Sequence, residues 1–295
     1  MTEPVRFGVI HGFGPFDPEG LVAGAQRAEA LGFDLFNVAD HLNGDRPTLE
    51  PWIALAFVAA ATRRLSVVSN VLGLPYRSPA VTAKMAETLD RLSGGRLVLG
   101  IGSGGYDAEF SAFGLPERTP GEKVNALDEA LHIIRGLWDE PEFTFAGRHY
   151  QTHAARIEPK PARRIPIWVG AYGPRALAVT GGLADGWVPS IGRLGLDRLV
   201  ELRAAVVASL ERAGRPVEEF TWATNLVLGP ASTSSQDAGR GWRQLTGDSD
   251  AVAGQVAQIA AAGFTVINVA FPVADEIERF AAEVIPAVRA RLAAA

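Results

Sequence analysis

Short apolar runs alternate with longer stretches of helical period along nearly the whole chain. Val5–Ile10, Phe33–Ala39, Leu65–Leu72, Arg96–Ile101, Ile165–Gly170, Asp185–Pro189, Phe220–Leu228 and Phe264–Phe271 are compact and apolar, as buried strands are. The stretches between them predict helices over about 17–31, 51–62, 78–93, 119–138, 174–181, 195–213 and 248–262, with a last one from Asp275. Start and stop signals agree. Asp17-Pro18 and Ser78-Pro79 read as caps followed by proline in the first turn, and Thr119-Pro120-Gly121-Glu122 as a capping box. Gly32 and Ser93-Gly94-Gly95 end the helices before them.

Eight strands in strict alternation with eight helices argue for an α/β protein with a parallel sheet and right-handed crossovers. A single TIM (β/α)8 barrel over residues 1–295 is the reading that fits the length. A near-repeat supports it: Gly32-Phe33-Asp34-Leu35-Phe36-Asn37-Val38-Ala39 matches Gly263-Phe264-Thr265-Val266-Ile267-Asn268-Val269-Ala270 at Gly, Phe, Asn, Val and Ala. A doubly wound open sheet is the alternative, but no early strand is followed by G-x-G-x-x-G. Residues 141–164 are more polar and read as an excursion outside the barrel, with a hairpin around Ala146-Gly147. Residues 229–247, rich in Ser and Gly, follow the seventh strand and are expected to form a lid.

Composition narrows the function. With 28 basic and 33 acidic side chains the net charge is −5, a poor match for nucleic acid or an anionic membrane. Cysteine is absent, which excludes disulfides and thiolate chemistry and suits a cytoplasmic protein. The longest apolar run, Trp52–Ala61, has 10 residues against the roughly 20 that span a bilayer. The N-terminus has no basic patch followed by an apolar stretch, so no signal peptide is expected.

In such a barrel the chemistry sits where strands end. Those positions hold His11, Asp40-His41, Asn70-Val71, Gly102-Ser103-Gly104-Gly105-Tyr106, Gly170-Ala171-Tyr172-Gly173, Pro189-Ser190, Asn225 and Asn268. Of five histidines only His11 and His41 lie there, without a metal-ligand set, and G-x-S-x-G is missing. A mouth so poor in acid–base groups suits a cofactor that carries the reactive atom. Gly102–Gly104 lets backbone approach a ligand, and Gly170–Gly173, opening a helix at Pro174, offers backbone N–H groups to a phosphate.

Ala39-Asp40-His41-Leu42, Arg77-Ser78-Pro79-Ala80, Leu89–Arg96, Leu99–Gly104, Ile167-Trp168-Val169-Gly170 and Ala184-Asp185-Gly186-Trp187 occur in the order found in one family. Together they resemble the bacterial luciferase-like superfamily, and more closely its coenzyme F420-dependent oxidoreductase branch. The resemblance implies a TIM barrel that moves hydride between a deazaflavin and a small organic substrate. Two alternatives are an FMN-dependent monooxygenase using reduced FMN and oxygen, and a non-catalytic flavin- or deazaflavin-binding protein. Carried over by position, Asp40 and His41 lie beside the ring, with His41 the catalytic candidate. Asn70-Val71 is where many deazaflavin members have a non-proline cis peptide backing the ring. Gly102, Ser103, Gly104, Gly170, Ala171, Tyr172 and Gly173 match cofactor-contacting loops. Glu109 matches a position read as structural. Arg63, Arg64, Arg77 and Arg175 are candidates for the acidic tail of a deazaflavin. Glucose-6-phosphate dehydrogenases of the branch have an acid where this chain has Gly105, and a Trp where it has Asn43-Gly44-Asp45, which argues against that substrate. A small-molecule partner is expected, with no metal; a homodimer is left open.

Overall fold

The computed structural model describes residues 4–12, 20–45, 47–229, 244–273 and 275–294. Its strands are β1 (Arg6–His11), β2 (Leu35–Val38), β3 (Ser66–Ser69), β4 (Leu72–Gly73), β5 (Leu97–Gly102), β6 (Phe143–Ala146), β7 (Gln151–Ala155), β8 (Ile167–Gly170), β9 (Gly186–Trp187), β10 (Thr221–Leu228), β11 (Gln244–Leu245) and β12 (Val266–Ala270). Parallel pairing runs β1-β2-β3-β5-β8-β9-β10-β12 and returns from β12 to β1, which closes an eight-stranded barrel and excludes the open sheet. β6 and β7 pair antiparallel in a separate sheet, which is the expected hairpin in the 141–164 excursion. The two copies of the near-repeat are β2 and β12, the strands on either side of β1.

The helices follow the expected pattern, because their termini are written in the sequence. Thr119 Oγ1 accepts from Glu122 N at 3.3 Å and Glu122 Oε2 accepts from Thr119 N at 3.0 Å, a complete capping box on the helix Pro120–Asp139. There are differences, including a short helix Ile191–Leu194 and the strand β11 at the end of the expected lid. The expected strand over 65–72 breaks at Asn70-Val71, whose peptide bond is cis, and resumes as β4. The expected strand over 185–189 shortens to β9. A short helix, Asp107–Ala112, stands in the loop after β5, where none was expected. Its six residues are too few to show a 3.6 period. The expected helix start at Asp17-Pro18 and the 230–243 part of the expected lid lie outside the described residues. Among the described residues no helix is long and apolar enough to cross a membrane.

Side chains alternate in and out along each strand, so the barrel interior is layered. Lowest is an apolar cluster of Leu35, Val68, Val98, Trp168, Val188, Ala223 and Val266. Two residues further along their strands come Asn37, Asn70, Asn225 and Asn268, with Gly8, Gly100 and Gly170 on the others. Ile10, Val227 and Ala270 form the next layer, toward the mouth. The larger core lies outside the barrel wall, where Phe7, Phe36, Leu97, Leu99 and Ile267 meet the helices.

Candidate active site at the barrel mouth

The residues after β2, β4, β5 and β8 converge on the C-terminal end of the barrel. His41 leaves β2 half-exposed, and Glu109 reaches it from the short helix Asp107–Ala112, with His41 Nδ1 2.9 Å from Glu109 Oε1. Tyr76 donates its hydroxyl to Glu109 Oε2 at 3.1 Å. A carboxylate that accepts from Tyr76 can also accept from Nδ1, and a neutral imidazole bound this way presents Nε2 as its acceptor. Burial, reinforced by the Glu109 charge, pushes the Tyr76 phenol up to about 12, so it stays a donor. The Tyr106 ring meets the His41 ring edge-on, with centroids 5.2 Å apart.

The sequence reading set Glu109 aside as structural; the fold brings its carboxylate to His41 and Tyr76. It stands one turn of helix beyond Gly105, the position where the glucose-6-phosphate dehydrogenases were expected to carry an acid. The signal that could have found it is the Asp107-x-Glu109 acidic start of a helix facing the His41 strand end.

Asp40 is buried, and its carboxylate is held by Arg77 and Gly73. It accepts from Arg77 Nη1 at 2.7 Å, Arg77 Nη2 at 3.1 Å and Gly73 N at 2.8 Å. Burial raises its pKa, with Arg77 and Gly73 pulling in the opposite direction. Asp40 therefore braces the loop after β4, while the carboxylate beside His41 Nδ1 is that of Glu109. Arg77 is taken up by Asp40 and, at 2.6 Å, by Glu50. Arg175 donates to Asn125 Oδ1 at 2.6 Å.

The glycine loops divide. Gly102 and Gly170 make room for Val71. A Cβ on Gly102 would lie 2.8 Å from Val71 Cγ2, and one on Gly170 3.2 Å from it. Below them Gly100 could take no Cβ either, because Ser69 O would be 1.9 Å away. Val71 thus covers a floor of three glycines. Gly104, at φ +92°, packs against the Phe110 ring. Ser103 is half-buried between them. Ala171 belongs to the outer core and its carbonyl accepts from Trp187 Nε1 at 2.9 Å. Tyr172 accepts at its hydroxyl from Ser190 N at 2.9 Å. A Cβ on Gly173 would meet nothing within 4 Å, so the N-terminus of the helix Pro174–Leu183 faces open space. His11 ends β1 beside the Phe36 ring, with centroids 5.8 Å apart. Among the described residues no group of His, Asp and Glu could hold a metal.

The family model for luciferase-like monooxygenases matches residues 4–240. An F420-dependent glucose-6-phosphate dehydrogenase of Nakamurella multipartita is 34% identical over 74% of this chain and 65% of its own length. An F420-dependent hydroxymycolic acid dehydrogenase of Mycobacterium tuberculosis is 32% identical over 70% of this chain and 58% of its own length. The chain therefore spans less than two thirds of either relative in these matches. In fold, it superposes on an F420-dependent secondary alcohol dehydrogenase solved with an F420–acetone adduct at a TM-score of 0.87, with 17% identity, covering 97% of this chain and 99% of the other.

Proposed function

The chain belongs to the luciferase-like monooxygenase family, and from that premise we propose that it is an F420-dependent oxidoreductase acting on a small alcohol or the corresponding carbonyl compound. The observation that carries the reading is the His41–Glu109 pair at the mouth, 2.9 Å apart and open to a ligand on the imidazole side. The deazaflavin, when bound, supplies or accepts the hydride. Two features fit such a group: the apolar Val71 side chain for a ring face, and the open N-terminus of the helix Pro174–Leu183 for a phosphate.

The chain's own part is proton handling and positioning. His41 Nε2 takes the proton from a substrate hydroxyl as hydride leaves its carbon, or returns it to the carbonyl oxygen in reverse. Glu109 accepts from Nδ1 and stabilises the imidazolium that results. Tyr76 holds Glu109 in place from the other oxygen. The relatives named as F420-dependent dehydrogenases support the choice of deazaflavin over flavin. The net charge of −5 and the lack of cysteine support a small-molecule substrate and a cytoplasmic location.

The test is titration of the purified protein with F420 and with FMN, followed by intrinsic fluorescence, then F420 reduction over a panel of alcohols. Preferential F420 binding with alcohol-dependent reduction is the expected result. Tighter FMN binding with oxygen consumption would replace it with the monooxygenase reading. Tight binding without turnover over a broad panel would favour a carrier.

A further inference from the structure

Four asparagines that belong to no catalytic group form a closed hydrogen-bonded ring inside the barrel. Asn37 Nδ2 donates to Asn268 Oδ1 at 3.1 Å, and Asn268 Nδ2 to Asn225 Oδ1 at 3.1 Å. Asn225 Nδ2 donates to Asn70 Oδ1 at 3.2 Å, and Asn70 Nδ2 back to Asn37 Oδ1 at 3.2 Å. These four bonds run one way around the ring, and a fifth, from Asn70 Nδ2 to Asn225 Oδ1 at 2.8 Å, runs back, so Asn70 and Asn225 pair reciprocally.

One carbonyl sets the direction. The second proton of Asn37 goes to Val9 O at 3.1 Å. Turning that amide over would press Oδ1 against a group that only accepts, and every neighbour would have to turn with it. Hydrogen bonds linked in this way polarise and strengthen one another. Space for the ring is made by Gly8, where a Cβ would lie 2.3 Å from Asn268 Oδ1 and 2.7 Å from Asn37 Nδ2. Asn37 and Asn268 are completely buried, Asn70 is buried and Asn225 half-buried. Asn225 carries the ring on to Ser190 Oγ at 3.4 Å, and Asn70 is followed directly by Val71.

We infer that the ring is a positioning device for the cofactor face. Asn37 and Asn268 touch no ligand, but they hold Asn70 and Asn225 in a single amide orientation, and through Asn70 they hold Val71 over its glycine floor. The inference rests on the proposed binding of a deazaflavin against Val71. An apolar layer at the same height would pack without a directional requirement; the amides add one fixed orientation.

The experiment compares Asn268→Leu and Gly8→Ala with Val266→Ala, a control in the apolar layer beneath. F420 affinity is read by fluorescence, melting temperature by calorimetry, and the Asn70 and Asn225 side-chain amide protons by NMR exchange. Asn268→Leu and Gly8→Ala should each weaken F420 by about tenfold or more, as couplings within one network do. Both should also lose slow amide exchange at Asn70 and Asn225. Val266→Ala should keep both properties at whatever melting temperature it has. Unchanged affinity in the two ring variants, an equal loss in Val266→Ala, or retained amide protection would overturn the inference. Gly8→Ala keeps every amide, so it stands as the test if Asn268→Leu does not fold. If the unaltered protein fails to bind F420, the proposed cofactor falls. The ring is then judged on amide exchange and on the Val71 methyl resonances, which move in Asn268→Leu if the ring holds Val71 and stay if it does not.

Discussion

Glu109 Oε1 lies 2.9 Å from His41 Nδ1, although 68 residues separate them in the chain. That contact fixes the imidazole that follows β2, and under the proposed function it turns Nε2 toward the substrate.

His41→Ala should lower turnover by about 10²–10⁴-fold, the usual worth of a positioned acid or base. The side chain is half-exposed and the core does not rest on it, so the melting temperature should change little. Full activity in the variant, measured with its melting curve, would remove His41 from the chemistry.

Glu109→Gln keeps the shape but removes the charge that stabilises imidazolium. Turnover should therefore fall. Tyr76→Phe should cost less, because Glu109 keeps its bond to His41. The Tyr76 phenol titrates only near 12, so no tyrosine limb is expected between pH 5 and about 10 in the unaltered protein. Unchanged turnover in Glu109→Gln would separate the two residues functionally.

Gly173→Val should weaken cofactor binding more than it weakens the fold. The backbone there is extended, at φ −80° and ψ 150°, and a Cβ meets nothing in the protein. A valine would therefore fold without strain yet stand where an anion approaches the helix N-terminus. Normal affinity by fluorescence titration would place the phosphate elsewhere.

Gly102→Ala and Gly170→Ala probe the Val71 floor. A Cβ at position 102 comes to 2.8 Å from Val71, against 3.2 Å at position 170. Overpacking of this kind typically costs about 1–3 kcal/mol. Gly102→Ala should be the more destabilising of the two in denaturant melts, and the order is the test.

Glu129 anchors the β6–β7 hairpin by accepting from the backbone N–H of Arg148, His149 and Tyr150 at 2.9, 2.8 and 2.9 Å. Burial opposes its ionisation, but the three backbone donors outweigh it and hold its pKa below the usual carboxylate value. A lowered folded pKa gives stability that is present above the unfolded pKa, near 4.3, and lost as pH falls through the folded one. Glu129→Gln should therefore be less stable than the unaltered protein at pH 7, with the gap closing below about pH 4. A gap constant with pH, measured by urea melts, would show that the carboxylate charge is not what anchors the hairpin.

The barrel was legible in the sequence because its information is local. Thr119 and Glu122 cap their helix within four residues, and apolar strands such as Val266–Ala270 declare themselves by composition. Repeated strand–helix units then leave few ways to close a parallel sheet. The near-repeat even held the two asparagines, Asn37 and Asn268, that meet across β1, but repetition does not say that they touch. His41 was legible as a strand-end residue. Its partner was not, since the six-residue helix bearing Glu109 has no period of its own and is positioned by packing, with Phe110 buried against Tyr76. Gly102 and Gly170 were recognisable as places without a side chain. Only the tertiary structure shows that Val71 packs into the vacancy, because that depends on which side chain from another strand fills the space. Helices and strands follow from neighbours along the chain; the roles of Asp40, Glu109 and the asparagine ring follow from neighbours across the barrel, a distance the sequence does not encode.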